Sequence, residues 1–320
     1  MIIVTGGAGM IGSNIVAALN ARGLDDILIV DHLKNGQKMH NLVDCNFRDY
    51  MDRDQFIDLV RSGLFSEKVS AIFHQGACSN TTEWDGKFLM DNNFAFSKDL
   101  LLWSLNNAVS FIYASSASVY GLGEAGFREV RASEKPINMY AFSKFQFDQY
   151  VRSFGDSFKS QVVGLRYFNV YGPREAHKGA MSSTQFHFNN QILKNGVANL
   201  FEGFDGYGDG EQKRDFVYVD DCVDVNLWFL DNSDKCGIFN VGSGEAREFN
   251  QVAGAVIKWH KNNGKDQCDL AYIKFPEHLK GVYQNYTQAD ISALRKVGYS
   301  QKFTPLEQGV YKYLDWLNKS

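Results

Sequence analysis

Tyr140 and Lys144 stand four residues apart at the head of the stretch YAFSKFQFDQY. On a helix that spacing puts both side chains on one face. A phenol with an ordinary pKa of about 10 is a poor base near neutrality. A lysine cation beside it favours the phenolate. Ser116 closes the run FIYASS and reads as the end of a strand. Its hydroxyl can hold an alcohol against Tyr140, within the roughly 3 Å that proton transfer requires. Taken alone, a tyrosine and lysine at this spacing are most often the edge of an amphipathic helix. The chemistry becomes specific only if a hydride carrier binds beside them.

The first 31 residues supply that carrier's site. The run IIV at 2–4 reads as a buried strand, GGAGMIG at 6–12 as a turn, IVAAL at 15–19 as a helix, and ILIV at 27–30 as a second strand ending in Asp31. Such a unit is the dinucleotide-binding βαβ arrangement, here with GxxGxxG spacing. Gly6 allows the tight turn, Gly9 admits a pyrophosphate to the helix N-terminus, and Gly12 lets helix and strand pack closely. Asp31 suits the hydroxyls of an adenosine ribose, which favours NAD. Lys38, with Lys34 and His32 nearby, suits a 2′-phosphate instead, and these residues alone leave the choice open.

The remaining elements carry these groups to one place. Residues 42–44 read as a third strand, 52–61 as a helix with Arg53 in its first turn, and 70–74 as a fourth strand. The small residues Gln75, Gly76, Ala77, Cys78 and Ser79 follow, where backbone can skirt a cofactor; Cys78 reads as a small buried filler. A long helix carries Asn92, residues 111–115 form the fifth strand, and 162–165 the sixth. Strands alternating with helices imply an α/β fold, a Rossmann-type doubly wound parallel sheet with ligands beyond its carboxyl edge. Residues 1–170 are expected to form that domain, with segments near 214–245 returning to it. Residues 171–320 mainly form a smaller, discontinuous substrate-binding lobe.

Composition narrows the class. The 320 residues exceed the size at which one core usually stops growing. A net charge of −4 offers no footprint for nucleic acid or an anionic membrane, and no apolar run spans a bilayer. Five scattered cysteines without a CxxC pair favour reduced thiols, and the dispersed histidines give no metal site. A strand starting at residue 2 is read as leaving no room for a signal peptide, so a cytoplasmic protein is expected.

With GGAGMIG, Ser116, the Tyr140/Lys144 pair, RYFNVYGP at 166–173 and RDFVYVDD at 214–221, the chain resembles the extended short-chain dehydrogenase/reductase family. GACS at 76–79, TTEWDGK at 81–87, EAHKG at 175–179, FEG at 201–203 and TQAD at 287–290 look like the ADP-heptose 6-epimerase branch of that family. The resemblance covers essentially the whole chain. It implies an isomerase that inverts the sixth carbon of the heptose in ADP-D-glycero-D-manno-heptose during lipopolysaccharide inner-core synthesis. It also implies tightly held NADP, a cytoplasmic location and a homo-oligomer, commonly a pentamer.

The resemblance places cofactor on Met10, Ile11, Asp31, His32, Lys38, Arg53, Gln75 to Ser79, Asn92, Lys144, Val170 and Lys178. It places substrate on Ser116, Asn169, Ala180, His187, the Phe201–Glu202–Gly203–Phe204 segment, Arg214 and Tyr283, and proton transfer on Tyr140 and Lys178. Departures from the pattern are His32 for asparagine, Ala180 for serine, Val282 for arginine, and a longer, acidic, glycine-rich 204–212 loop that is expected to be mobile. Ala117 and Ser118 stand where the resembling dehydratases carry Asp-Glu, which argues against water elimination. A 4-epimerase of another nucleotide sugar and a non-catalytic NADP-binding module are the competing readings. An intact Ser116, Tyr140 and Lys144 argues against the second.

Overall fold

The computed structural model describes residues 1–155, 158–277 and 283–318; Val282 lies outside them. Seven parallel strands make the main sheet: β1 (Ile2–Thr5), β2 (Ile27–Asp31), β3 (Asp49–Asp52), β4 (Ala71–His74), β5 (Ser110–Ser116), β6 (Val162–Tyr167) and β10 (Gly237–Val241). They lie in the order β3-β2-β1-β4-β5-β6-β10. Strands β1, β2, β4 and β6 are buried at every position, as a sheet covered on both faces demands. Helices α1 (Met10–Ala21), α2 (Arg53–Arg61), α4 (Phe96–Asn106), α5 (Met139–Arg152) and α7 (Val219–Asp231) belong to this half. The short α3 (Gly86–Leu89) runs into α4 through a π-helical turn, Met90–Ala95. Chain order reverses between β1 and β4, so a crevice opens at their carboxyl ends.

The other half holds two small sheets. One is three-stranded, from β7 (Asn169–Tyr171), β9 (Lys213–Tyr218) and β11 (Ala246–Glu248); the other pairs β8 (Val197–Phe201) with β12 (Asp269–Ile273). Helices α6 (Thr184–Asn195), α8 (Phe249–Asn262) and α10 (Leu306–Leu317) pack on them, and α9 (Ser292–Lys296) returns towards the main sheet. Four apolar clusters are buried among the described residues. One joins Ile15, Val16, Ile29, Phe73, Val163 and Phe229 with Leu294 and Tyr299; a second gathers Phe188, Ile192, Leu200, Val256, Val310 and Tyr313. A third gathers Ile3, Leu28, Phe56, Ile72, Phe111 and Val162, and a small fourth holds Val119, Tyr120 and Phe168. Ile11 and Val170 pack against the first two.

One expected strand is corrected. Residues 42–44 form a turn after a 3-10 helix, Gly36–Asn41, and the third strand lies at Asp49–Asp52. Only Leu42 of that triplet is buried, Val43 being 71 % exposed. The Asn41 side chain pins the segment to the Ala8 and Arg174 carbonyls at 2.9 and 3.0 Å, which prevents it from joining the sheet. The expected helix at 52–61 forms, with the Asp52 carboxylate accepting from the Asp54 N–H at 2.9 Å as its N-cap. The returning strand near 237–242 forms as β10, paired with β6.

Beneath β5, β6 and α5 lies a solvent-free ionic cluster. Arg166, Asp148 and Glu134 have wholly buried side chains. Arg166 donates to Asp148 at 2.9 Å, to the Tyr120 hydroxyl at 2.9 Å and to Glu134. Asp148 also accepts from Tyr113 at 3.0 Å and Ser115 at 2.9 Å. Burial pushes the Glu134 carboxyl up, but bonds and charge from Arg152 and Arg166 outweigh it and leave it below the usual range. Arg166→Leu leaves the buried Asp148 carboxylate without its cation, while Glu134 keeps Arg152, and is expected to cost about 3–5 kcal/mol in urea unfolding. A loss under about 1 kcal/mol would show that the cluster rearranges without it.

Candidate active site

The glycine turn sets the floor of the cleft. Gly6 adopts φ +65°, and a Cβ there would sit 2.6 Å from the Gly76 nitrogen. A Cβ on Gly12 would sit 2.2 Å from the Gly6 carbonyl oxygen. The turn, the start of α1 and the 75–79 segment are therefore packed as tightly as backbone allows. Above them opens a cleft of about 600 Å³. All eighteen residues assigned to the cofactor, from Gly6 to Lys178, line it, together with Ser116 and Tyr140.

At the β2 end, Asp31 accepts from the Ala8 and His32 N–H groups at 2.9 and 2.7 Å. Lys38 Nζ donates to the same carboxylate at 2.8 Å. Arg53 reaches Asn92 across the cleft and pairs with Asp54. Burial, then the charge of Lys38, lowers the His32 pKa, and its Nδ1 is buried without a partner. Burial and then Lys38 act in the same direction on His177, whose Nδ1 lies 3.1 Å from Asn41 Nδ2. His177, part of the EAHKG match but given no role there, also lines the cleft. An acid, two cations and an unpartnered imidazole nitrogen thus line the end of the cleft where a dinucleotide's adenosine ribose would lie.

At the β5 end, the register places Ser116 beside Tyr167, the last residue of β6. Asn138 caps α5 by accepting from the Ala141 N–H at 2.8 Å, which starts the helix just before Tyr140. Burial raises the Tyr140 pKa, and the neighbouring Ser116 hydroxyl opposes the rise. The expected lowering by Lys144 does not appear. Its Nζ donates instead to the Ala114 carbonyl at 2.8 Å, and burial pulls it down to about 8. Asn93 was missed by sequence reading. It exchanges bonds with the Cys78 backbone at 2.8 and 3.0 Å and donates to Ser143 at 3.0 Å, tying the cofactor loop to α5. Cys78 lies half-buried in the cleft wall.

Lys178 enters from the opposite wall. Its Nζ lies 3.1 Å from Glu175 Oε2 and 3.6 Å from the Met10 sulfur. The other residues assigned to substrate do not line this cleft. Arg214 sits 4.7 Å over the Tyr283 ring, and Phe275 stacks on Phe204 at 4.8 Å while edging Phe201 and Tyr283. Glu202 N–H donates to Ile273 and Gly203 N–H to Asp209, which closes the 204–212 loop on itself. His187 lies on α6 with Nε2 3.3 Å from the Ala180 carbonyl, while Asn169 opens β7. Arg214 is 5 % exposed, and no carboxylate pairs with it among the described residues. Burial lowers its pKa, Tyr283 opposing. A buried guanidinium without a counter-ion is a site that wants an anion. Phe275, the hub of this aromatic group, carried no signal in the sequence.

No helix among the described residues is long and apolar enough to cross a membrane. Among them, no group of three or more His, Cys, Asp and Glu side chains could hold a metal ion.

Lys144 gives a pH-dependent signature. Its folded pKa of about 8 lies below the ordinary 10.5, so the unfolded chain holds that proton more tightly. Stability must then rise with pH between those two values. In urea unfolding across pH 7.5–10.5, the wild type should gain on Lys144→Met as the pH rises. Parallel pH curves for the two proteins would contradict the burial argument.

A curated ADP-L-glycero-D-manno-heptose-6-epimerase of Alkalilimnicola ehrlichii is 54% identical over 315 residues, covering 98% of this chain and 97% of the relative. The crystal structure of the Helicobacter pylori ADP-L-glycero-D-manno-heptose-6-epimerase superposes with TM-score 0.83 at 30% identity, covering 99% of this chain and 95% of that one. A Thermus thermophilus UDP-glucose 4-epimerase, solved with NAD, gives TM-score 0.79 at 26% identity over 98% and 97% of the two chains. The model of the NAD dependent epimerase/dehydratase family matches residues 2–242, and with these relatives the dinucleotide cleft, the seven-stranded sheet and the Ser116–Tyr140–Lys144 group have one explanation: the chain belongs to that family.

Proposed function

We propose that this protein is an epimerase that inverts the sixth carbon of the heptose in ADP-D-glycero-D-manno-heptose, giving ADP-L-glycero-D-manno-heptose for lipopolysaccharide inner-core synthesis. The observation that supports the reading is that Tyr140 on α5 and Lys178 on the 176–181 segment line one cleft, and this reading assigns proton transfer to both. The match of 54% to a heptose epimerase supports the substrate. By resemblance alone, the working form is a cytoplasmic homo-pentamer, and residues 171–320 chiefly make the sugar-nucleotide lobe. A 4-epimerase of another nucleotide sugar is the second reading, favoured by the likeness to UDP-glucose 4-epimerase structures.

The cofactor in this reading is NADP. Lys38, Arg53 and the unpartnered His32 Nδ1 gather at the ribose end, and Lys38 already neutralises Asp31, whose charge would otherwise repel a 2′-phosphate. The cleft residues would hold a nicotinamide that, when bound, would supply the hydride acceptor and donor for carbon six. Ser116 holds the C6 hydroxyl against Tyr140, which takes its proton. Lys144 orients the nicotinamide ribose from the same helix face. Arg214 anchors the diphosphate, so the sugar can turn about a fixed point and present its other face. The ketone then meets a proton donor from the far wall, Lys178. Its ion pair with Glu175 keeps the ammonium aimed into the cleft. Each turnover removes one proton and one hydride from carbon six and restores both; solvent takes the proton from Tyr140 and returns one to Lys178, and no net cofactor is consumed.

Two measurements test this. Lys38→Ala should weaken NADP about ten- to a hundredfold more than NAD, the value of a lost charge-assisted contact. Equal loss for both cofactors, or tighter NAD binding by the wild type, would overturn the NADP assignment. In heavy water, a panel of ADP- and UDP-sugars resolved by NMR should show ADP-heptose converted with no solvent deuterium on carbon. Deuterium at the sixth or a neighbouring carbon would exclude direct oxidation. Conversion of a UDP-hexose in place of ADP-heptose would favour the 4-epimerase.

A further inference from the structure

The chain makes an unusual corner between Pro173 and Lys178. Arg174 adopts φ +70°, a left-handed conformation that a residue other than glycine rarely takes unless its surroundings hold it there. The enforcement is visible. Both Arg174 terminal nitrogens donate to Asp44 at 2.8 Å, and one also reaches the Asn41 carbonyl. Asn41 Nδ2 returns a bond to the Arg174 carbonyl at 3.0 Å. This clamp turns the next side chain, Glu175, into the protein, where it is fully buried.

Tyr313 of α10 faces that buried carboxylate, whose hydrogen bonds run to Lys178 and to the start of the helix after it. Oε2 accepts from Lys178 Nζ at 3.1 Å and from the Ser183 N–H at 2.7 Å, while Oε1 accepts from the Ser183 hydroxyl at 2.5 Å. The Glu175 carbonyl accepts from the Lys178 N–H at 2.9 Å and the Ser182 hydroxyl at 3.1 Å. Ser183 is the N-cap of α6, the helix that carries His187. Glu175 thus fixes both ends of the short 176–181 segment. Within the segment, Gly179 turns at φ +56° and His177 is tied by Asn35 and Asn41, each at 3.1 Å, but the charged partner of the Lys178 Nζ is Glu175.

We propose that Glu175 is the positioning residue for Lys178: it aims the Nζ along the Met10 side of the cleft and locks the 176–181 segment to α6, without itself touching substrate. The proposal rests on the reading of Lys178 as a proton-transfer group. It adds that the clamp at Arg174, built on the segment that also presents Lys38, sets where this proton is delivered.

A merely structural carboxylate and a positioning one differ in their coupling to Lys178. Glu175→Gln should cut kcat about tenfold or more while changing the KM for the sugar nucleotide less than about threefold. Placed in a Lys178→Met background, the same change should cost less than about twofold further, because its effect runs through a lysine no longer there. Glu175→Asp keeps the charge on a shorter stem and should recover part of the lost kcat. Equal losses from Glu175→Gln with and without Lys178, or an unimpaired Glu175→Gln enzyme, would overturn the proposal. If Glu175→Gln does not fold, Glu175→Asp carries the same cycle, with its own kcat loss expected to vanish in the Lys178→Met background. Undiminished turnover by Lys178→Met alone would instead remove Lys178 from the chemistry, a separate failure that the panel of variants identifies directly.

Discussion

The Arg166 guanidinium is the interaction on which the catalytic wall depends. It is held with no exposure to water between a carboxylate from α5, a carboxylate from the 131–135 turn and the Tyr120 hydroxyl. Taking three charges out of water is costly, and the cost is offset only when every donor and acceptor is met with good geometry. The same requirement fixes structure. Asp148 holds Tyr113 and Ser115 of β5 as well as Arg166 of β6, so α5 can dock on the sheet at one height only. Tyr140 and Lys144 ride on that helix, and Ser116 ends that strand. Their mutual placement is therefore set from below, by groups that never touch substrate.

The opposite wall is held by a second set of buried charges. Glu175 and Arg174 tie the 176–181 segment to α6 and to the 41–44 turn. Asp215 does similar work deeper in the small lobe, accepting from Ser243, Gly244 and Ala289 N–H groups between 2.6 and 2.9 Å. It binds β9 to the loop after β10 and to residues 287–290. Because β10 belongs to the main sheet and β9 to the small one, this carboxylate joins the two halves. Both walls are over-determined where they meet the cleft. The aromatic group around Phe275 is different, since its parts are held by ring contacts that a ligand can rearrange.

Much was legible in the sequence because it is local. A glycine turn between two apolar strands can form few structures, and Asp31 at the second strand end follows from the same unit. Alternation of buried strands and helices gave the parallel sheet, since a run buried on both faces leaves no solvent-facing alternation to read. The four-residue spacing of Tyr140 and Lys144 is a property of any helix. The third strand was misplaced because residues 42–44 carry a short apolar signal, while the true edge strand, DYMD, is half-exposed and acidic.

What only the tertiary structure decided is the company each side chain keeps. Helical spacing put Lys144 on the face of Tyr140, but the Ala114 carbonyl and burial determine that it bonds backbone and is pulled down to about 8. The residue types left Asp31 and Lys38 as rivals for one ribose, and folding paired them. Glu175 and Lys178 lie three residues apart, yet their contact exists only because Arg174, held by Asp44 from 130 residues earlier, turns the chain inward. Phe275 gained a partner in Phe204 through the pairing of β8 with β12, a contact between distant segments that no local pattern encodes. Local sequence fixes which conformations a segment can adopt. Charges and rings that must leave water together fix which segments meet.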